Sequence, residues 1–300
     1  MSREESNMER NREHTGKLLG QRGVPGLLAL TVTIAWIMIV SGVACADTEP
    51  IRITILYNNV PGRTDCTSAW GFSCLVEGTE KTLLFDTGGN GAILLSNMKA
   101  LGIDPKRVDA IILSHIHGDH IGGLPAFLDR NHDVVVYLPA SFPLRLKEAV
   151  RGNGATVEEI SGPQRVCNGV YTTGELGRDI REQALAVRTP QGTVIITGCA
   201  HPGIVTIVET ARKLQEENIY MILGGFHLLS RSAGDIAKIA ARLKELGVCK
   251  VAPSHCTGER ARKFFRAAWD TDFIASGLGT IITIPASTSA RPVGQPVKGR

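Results

Sequence analysis

The most constraining feature of this chain is one heptapeptide. An apolar strand, Ala110–Leu113, runs straight into Ser114-His115-Ile116-His117-Gly118-Asp119-His120. The chain has eight histidines, and three of them fall within these few residues. Imidazole and carboxylate donors suit zinc, iron and manganese. On an extended segment His115 and His117 project to the same side. Gly118 allows a sharp bend, after which Asp119 and His120 can serve a second metal close by. Protonated histidines packed this densely would repel one another, so a satisfied polar loop is the weaker reading. The fold must therefore present a strand end and its following loop at an open edge.

The rest of the chain supplies such a fold. Hydrophobic residues make up 43% of the 300 residues, enough for a sizeable core. The net charge of +4 comes from 33 basic and 29 acidic residues. So small a surplus gives no reason to expect nucleic acid, and a small-molecule substrate is expected instead. Alternation and turn residues predict strands at 51–57, 72–77, 82–86, 109–114, 134–138, 183–188, 193–197, 220–223, 250–252 and 280–284. The second and third of these form a hairpin around Gly78. Helices are predicted over 92–101, 142–150, 203–217, 234–246 and 259–269. Strands first and alternating strands and helices later indicate α/β layers with helices covering sheet faces.

The N-terminus reads differently. Arg3, Arg10, Arg12, Lys17 and Arg22 precede an uncharged run from Gly23 to Ala46, which ends in Ala44-Cys45-Ala46. A basic start, an apolar run and a small-residue exit describe an export signal. The run is also long enough to span a bilayer, in which case the basic flank leaves the catalytic part outside the cytoplasm. Residues 1–46 are thus expected to be a signal peptide or membrane anchor, 47–284 the catalytic domain, and 285–300 a disordered tail. The exported domain would be periplasmic or extracellular, or tethered to the membrane if the leader is not cleaved. Export permits disulfides among the seven cysteines, and Cys66 with Cys74 is the pair to examine first, with free, partly buried thiols as the alternative.

The pattern SHIHGDHIGGL resembles the H-x-H-x-D-H signature of the metallo-β-lactamase superfamily. The resemblance implies an αββα sandwich with the site at one edge of the facing sheets. It implies two divalent metal ions, zinc before iron or manganese: one on His115 and His117, the other on Asp119 and His120. In Leu84-Phe85-Asp86-Thr87-Gly88, Asp86 is similar to the family's aspartate that orients a ligand histidine and its loop. Three further segments, TGCAHPG at 197–203, GGFHL at 224–228 and SHCTG at 254–258, resemble the dihydropterin-ribofuranosylaminobenzene-phosphate synthase-like branch.

His201 and His255 each follow an apolar strand, where loops gather at a sheet edge, and are expected to complete the two metal sites. His227 also follows a strand, behind two glycines, and is expected to contact substrate or act as a general acid, with a structural role as the alternative. Asp119 and His227 are the candidate catalytic residues. The sequence departs from the superfamily pattern twice. The turn that usually carries a third histidine offers Glu175, and the position of the usual bridging aspartate holds Cys199. A thiolate near the metals and a packed small apolar residue are both open for Cys199. The helix at 259–269 carries Arg260, Arg262, Lys263 and Arg266, either a lure for anionic substrates or a solvated face. The expected reaction is attack of metal-activated hydroxide on an ester, phosphoester, lactone or amide. The alternatives are pterin-phosphate transfer or synthesis and a non-catalytic metal-binding domain.

Overall fold

The computed structural model describes residues 49–286 apart from 216 and 217. The leader expected at 1–46 lies outside the described residues, as does most of the tail. Among the described residues, no helix is long and apolar enough to cross a membrane.

The strands are β1 (Ile51–Asn58), β2 (Phe72–Glu77), β3 (Leu83–Phe85), β4 (Ala110–Ile112), β5 (Val135–Pro139), β6 (Thr156–Ile160), β7 (Gln164–Cys167), β8 (Val170–Thr172), β9 (Leu185–Thr189), β10 (Gly192–Thr197), β11 (Ile219–Gly225), β12 (Lys250–Ser254) and β13 (Ile281–Ile284). The helices are α1 (Gly91–Ala100), α2 (Gly118–Ile121), α3 (Leu124–Leu128), α4 (Leu144–Gly152), α5 (Ile204–Gln215), α6 (Ala233–Glu245) and α7 (Glu259–Trp269).

Seven strands form one sheet in the order β13-β1-β2-β3-β4-β5-β6, and six form the other in the order β12-β11-β10-β9-β8-β7. Alternation along the strands sorts the side chains into three apolar layers. Ile53, Phe85 and Ile112 of the first sheet meet Leu185, Val194 and Leu223 of the second. Leu84 and Ile111, on the opposite face, pack under α1, α3 and α4 with Leu94, Phe127 and Val150. Ile195 and Ile222 pack under α5, α6 and α7 with Val208, Leu243 and Phe265. The layering is α, β, β, α, as the sequence implied.

Two details differ from the sequence reading. Strands β6, β7 and β8 were not anticipated. β6 and β7 are edge strands, and β6 exposes charged side chains such as Glu158, so the apolar alternation is diluted. Cys66 and Cys74 are free thiols rather than a bridged pair. Cys74 points into the inter-sheet core, whereas Cys66 lies on the loop between β1 and β2, its Sγ 3.9 Å from Asp65.

The strands β3, β4 and β5 run parallel, as do β10, β11 and β12. Parallel strands place their carboxyl ends on one edge of a sheet, the edge where α/β proteins bind ligands. Asp86, His115, Cys199, Phe226 and His255 all stand just beyond such ends.

Candidate metal centre

The site is assembled around a buried carboxylate. Asp86 Oδ1 accepts from the Ser114 backbone N–H at 2.7 Å, and Oδ2 accepts from Ser114 Oγ, also at 2.7 Å. Oδ2 also lies 2.7 Å from His120 Nδ1. The carboxylate can only accept, so His120 Nδ1 carries the hydrogen and Nε2 presents its lone pair to the site. Gly198 closes against this cluster, because a Cβ there would collide with Ser114 Oγ.

The same logic fixes two more rings. His255 Nδ1 faces Asn59 Oδ1 at 2.9 Å; the amide oxygen accepts, so His255 Nε2 is also a free lone pair. Ser114 Oγ spends its hydrogen on Asp86 and accepts from His115 Nδ1 at 2.9 Å, which leaves His115 Nε2 free. His201 Nε2 is buried with no hydrogen-bond partner. Lone pairs therefore converge, with the Cys199 thiol 3.2 Å from His120 Nε2 as a weak donor beside them, an arrangement that costs free energy unless a cation lies among them.

The spacings suit a metal. Two nitrogens about 2.0–2.1 Å from one zinc at the tetrahedral angle lie about 3.3 Å apart. His120 Nε2 and His255 Nε2 are 3.2 Å apart, and Asp119 Oδ2 is 3.3 Å from His255 Nε2 and 3.6 Å from His120 Nε2. These three atoms outline one face of a tetrahedron. On the other side His115 Nε2 lies 3.1 Å from His117 Nδ1, and a ligating nitrogen of His201 joins them within 4.8 Å. The residues expected to hold metal thus gather into two groups, His115-His117-His201 and Asp119-His120-His255.

His227 belongs to neither group. Its ring sits 4.4 Å from that of His201 and is exposed to solvent. Cys199 is buried, with Sγ 3.2 Å from His120 Nε2 and within 4.8 Å of donor atoms on both His115 and His120. Its sulfur stands between the two groups rather than in apolar packing. Glu175 is engaged elsewhere, accepting from the Ser141 N–H at 2.7 Å and pairing with Arg181 at 3.0 Å. The basic residues of α7 are partly occupied too: Lys263 pairs with Glu259, and Arg266 lies over the Phe273 ring.

Four residues of the site were given no role by the sequence. Glu182 is fully buried, and its Oε1 accepts from the N–H groups of Gly198, Cys199 and Ala200 at 2.9–3.1 Å. Its Oε2 accepts from His201 N at 2.8 Å. One carboxylate thus holds the whole loop that carries Cys199 and His201. The neighbouring Gln183 donates from its backbone N to Ser114 O, tying that loop to the His115 segment. Trp70, half exposed, sits with its ring 4.9 Å from that of His255. Cys256 lies beside Cys199 and His255. A lone Glu, Gln or Trp in a loop matches no motif, and Cys256 stood in the SHCTG segment without a role of its own, so only the tertiary approach reveals these roles.

The titrations follow from burial and crowding. Burial, followed by the neighbouring imidazoles, pushes His115 well below its ordinary value. Burial and His227 bring His201 down to about 4. Burial would raise Asp119, but the neighbouring His255 and His120 rings outweigh it and lower the carboxyl. Burial likewise opposes His120, yet Asp86 holds its pKa up. Burial pushes Glu182 up to about 7 against the pull of its backbone donors. The hydrogen bond from Cys199 draws the Cys256 thiol well below its usual range despite burial, and His227 is raised by its contact with Cys256.

The sequence profile of the metallo-beta-lactamase superfamily matches residues 71–212, and the chain belongs to that superfamily. Within it, the chain is similar to the 7,8-dihydropterin-6-methyl-4-(beta-D-ribofuranosyl)-aminobenzene-5'-phosphate synthase of Methanocaldococcus jannaschii. The two are 33% identical over 264 residues, spanning 72% of this chain and 90% of that protein. Among solved structures it is similar to Tm1679, a metal-dependent hydrolase of the beta-lactamase superfamily. That likeness has a TM-score of 0.65 at 31% identity and covers 78% of this chain and 99% of that one. Human tRNase Z, short form, shares the fold at a TM-score of 0.52 and 14% identity, covering 78% of this chain and 99% of that one.

Proposed function

We propose that the protein is a metal-dependent hydrolase acting on an ester, phosphoester, lactone or amide, with two divalent ions, zinc before iron or manganese. One observation carries the reading: Asp119 Oδ2, His120 Nε2 and His255 Nε2 stand 3.2–3.6 Å apart with no donor among them. His115, His117 and His201 would hold the first ion, and Asp119, His120 and His255 the second, with Cys199 placed to add a sulfur. Three protein ligands leave a position open, as a catalytic metal requires. Bound ions would supply acidified water, ionising near pH 7, and a polarised substrate oxygen.

The chain's own residues do the rest. Asp119 is held ionised, and its side chain is 23% exposed, so its second oxygen can accept a hydrogen bond from a water or substrate on the open side. His227 is exposed and kept basic by Cys256, which suits donation of a proton to the leaving group. Trp70 offers an aromatic face above His255 for a flat part of the substrate. A cavity of about 120 Å³ beside His201 and His227, walled by Ile204, Phe226 and Leu228 with Arg231, can take a small group.

Metal analysis of purified protein and a panel of esters, phosphoesters and lactams test the reading. His201→Ala and His255→Ala should each lose metal and turnover together. His227→Ala should keep both ions and lower kcat at least tenfold. Full metal content in both His201→Ala and His255→Ala would overturn the ligand assignment.

A second reading is synthesis of a pterin–aminobenzene phosphate, supported by the 33% identity over 90% of the Methanocaldococcus jannaschii synthase. Formation of the compound in that relative's name, with no hydrolysis across the panel, would select it. Export of the catalytic domain also stands as a proposal, motivated by the uncharged run from Gly23 to Ala46 behind a basic segment. A fusion of residues 1–60 to a reporter that works only outside the cytoplasm should be active. Retention of the fusion inside the cell would reject it.

A further inference from the structure

Cys199 follows β10 and Cys256 follows β12, two strands separated in the sheet by β11. Their sulfurs nevertheless lie within 4.8 Å of each other, with a ring nitrogen of His255 equally close. The reason is Gly225 at the end of β11. A Cβ there would stand 2.6 Å from Cys256 Sγ and 3.2 Å from Cys199 Cα. Only a residue without a side chain lets the two cysteines meet across the intervening strand. Cys256 Sγ already points at Cys199, donating to its carbonyl oxygen at 3.6 Å. Both residues are about nineteen-twentieths buried, at 4% and 5% exposure. Cys74 and Cys167, by contrast, face the inter-sheet core, and Cys249 is exposed.

We propose that Cys199 and Cys256 are an oxidisable dithiol that a peroxide converts to an intramolecular disulfide, shutting the metal centre. A disulfide needs an S–S distance of about 2.05 Å, so the side chains must rotate toward each other through the space that Gly225 leaves. Once bonded to Cys256, the Cys199 sulfur can no longer offer a thiolate to a metal beside His120 Nε2, 3.2 Å distant in the reduced form. The chemistry balances with hydrogen peroxide as oxidant. One thiol attacks the peroxide, its sulfur becomes a sulfenic acid and one water leaves. The second thiol then attacks that sulfur, the S–S bond forms, and the sulfenic oxygen departs as a second water. The two sulfurs together lose two electrons and two protons. A dithiol reductant reverses the reaction by exchange.

The test uses the full chain, metal-loaded, treated with hydrogen peroxide until the exposed Cys249 is oxidised. The protein is then denatured, alkylated, digested and weighed. The expected result is a linked peptide pair carrying Cys199 and Cys256, two hydrogens lighter than the separate peptides and released by dithiothreitol. Metal content should fall at least twofold on oxidation and recover on reduction and reloading. Cys256→Ser should give no linked pair and keep its metal better than the parent at low peroxide dose. The wild-type mass measurement decides the crosslink whether or not that variant folds. Recovery of both Cys199 and Cys256 as alkylated thiols, or their linkage to other cysteines, overturns the proposal. So does an unchanged metal content in a crosslinked protein. The metal loss rests on the two-ion reading above, whereas the crosslink does not, so the two failures are distinguishable.

Discussion

Five non-glycine residues among those described adopt positive φ, and four of them are Asp86, Ala200, His227 and His255. Each such residue costs on the order of 1–3 kcal/mol, and the surroundings must impose it. Here the imposing groups can be named. Ala200 is turned by Glu182, which takes up the N–H groups on either side of it as well as its own. Glu182→Gln removes an acceptor and sets an amide donor against backbone donors. Leaving one of those N–H groups unmet costs about 1–3 kcal/mol. The variant should unfold at lower denaturant and bind metal on the order of ten- to a hundredfold more weakly. Equilibrium dialysis against a metal buffer measures this, and unchanged affinity would mean that the loop holds itself. His115, His117, Asp119 and His120 were legible in the sequence because they are clustered in one heptapeptide, and His201, His227 and His255 because each follows an apolar strand. Glu182 was not, because its meaning lies in four N–H groups that begin sixteen residues further along the chain.

At the scale of elements, the strands that carry the site were readable because both faces are buried and the residues run apolar without interruption. Strands β6 and β7 escaped because an edge strand with one wetted face tolerates Glu and Gln. The loop between β1 and β2, which presents Trp70, has no regular structure, and a helix holds it. Asn97 of α1 is buried; its Oδ1 accepts from Thr67 N at 2.8 Å, and its Nδ2 donates to Thr67 O and Leu56 O. Asn97→Ala breaks all three bonds, each worth about 0.5–1.5 kcal/mol. It should lower the urea midpoint and raise KM for aromatic substrates several-fold while leaving metal content at the parent level. An unchanged KM would remove Trp70 from the substrate's path.

Over the whole molecule, each group of donors draws on both sheets. His115 and His117 come from the first sheet and His201 from the second; Asp119 and His120 come from the first and His255 from the second. Chelation should therefore lower thermal stability and speed hydrogen exchange at the facing edges of both sheets. The metal-free protein should also be acid-sensitive. Folded His201, at about 4, and His115, also lowered, hold fewer protons than the same rings in the unfolded chain near 6.5. The stability they contribute is complete above about pH 6.5 and is lost as pH falls toward 4. His120, held up by Asp86, works in the opposite sense. A urea midpoint that stays constant from pH 7 to pH 4.5 in chelated protein would mean that the imidazoles are not assembled without metal.

His120 and His255 face each other at 3.2 Å across 135 residues of chain. No portion of the chain that stops short of β12 can offer that donor set, whereas the His115-His117-His201 set is complete once the chain has passed β10. Loading of the ion on Asp119, His120 and His255 therefore waits for β12 to dock. Donors of this type accept several divalent ions. The second occupant is then chosen by whichever ion prevails where β12 docks.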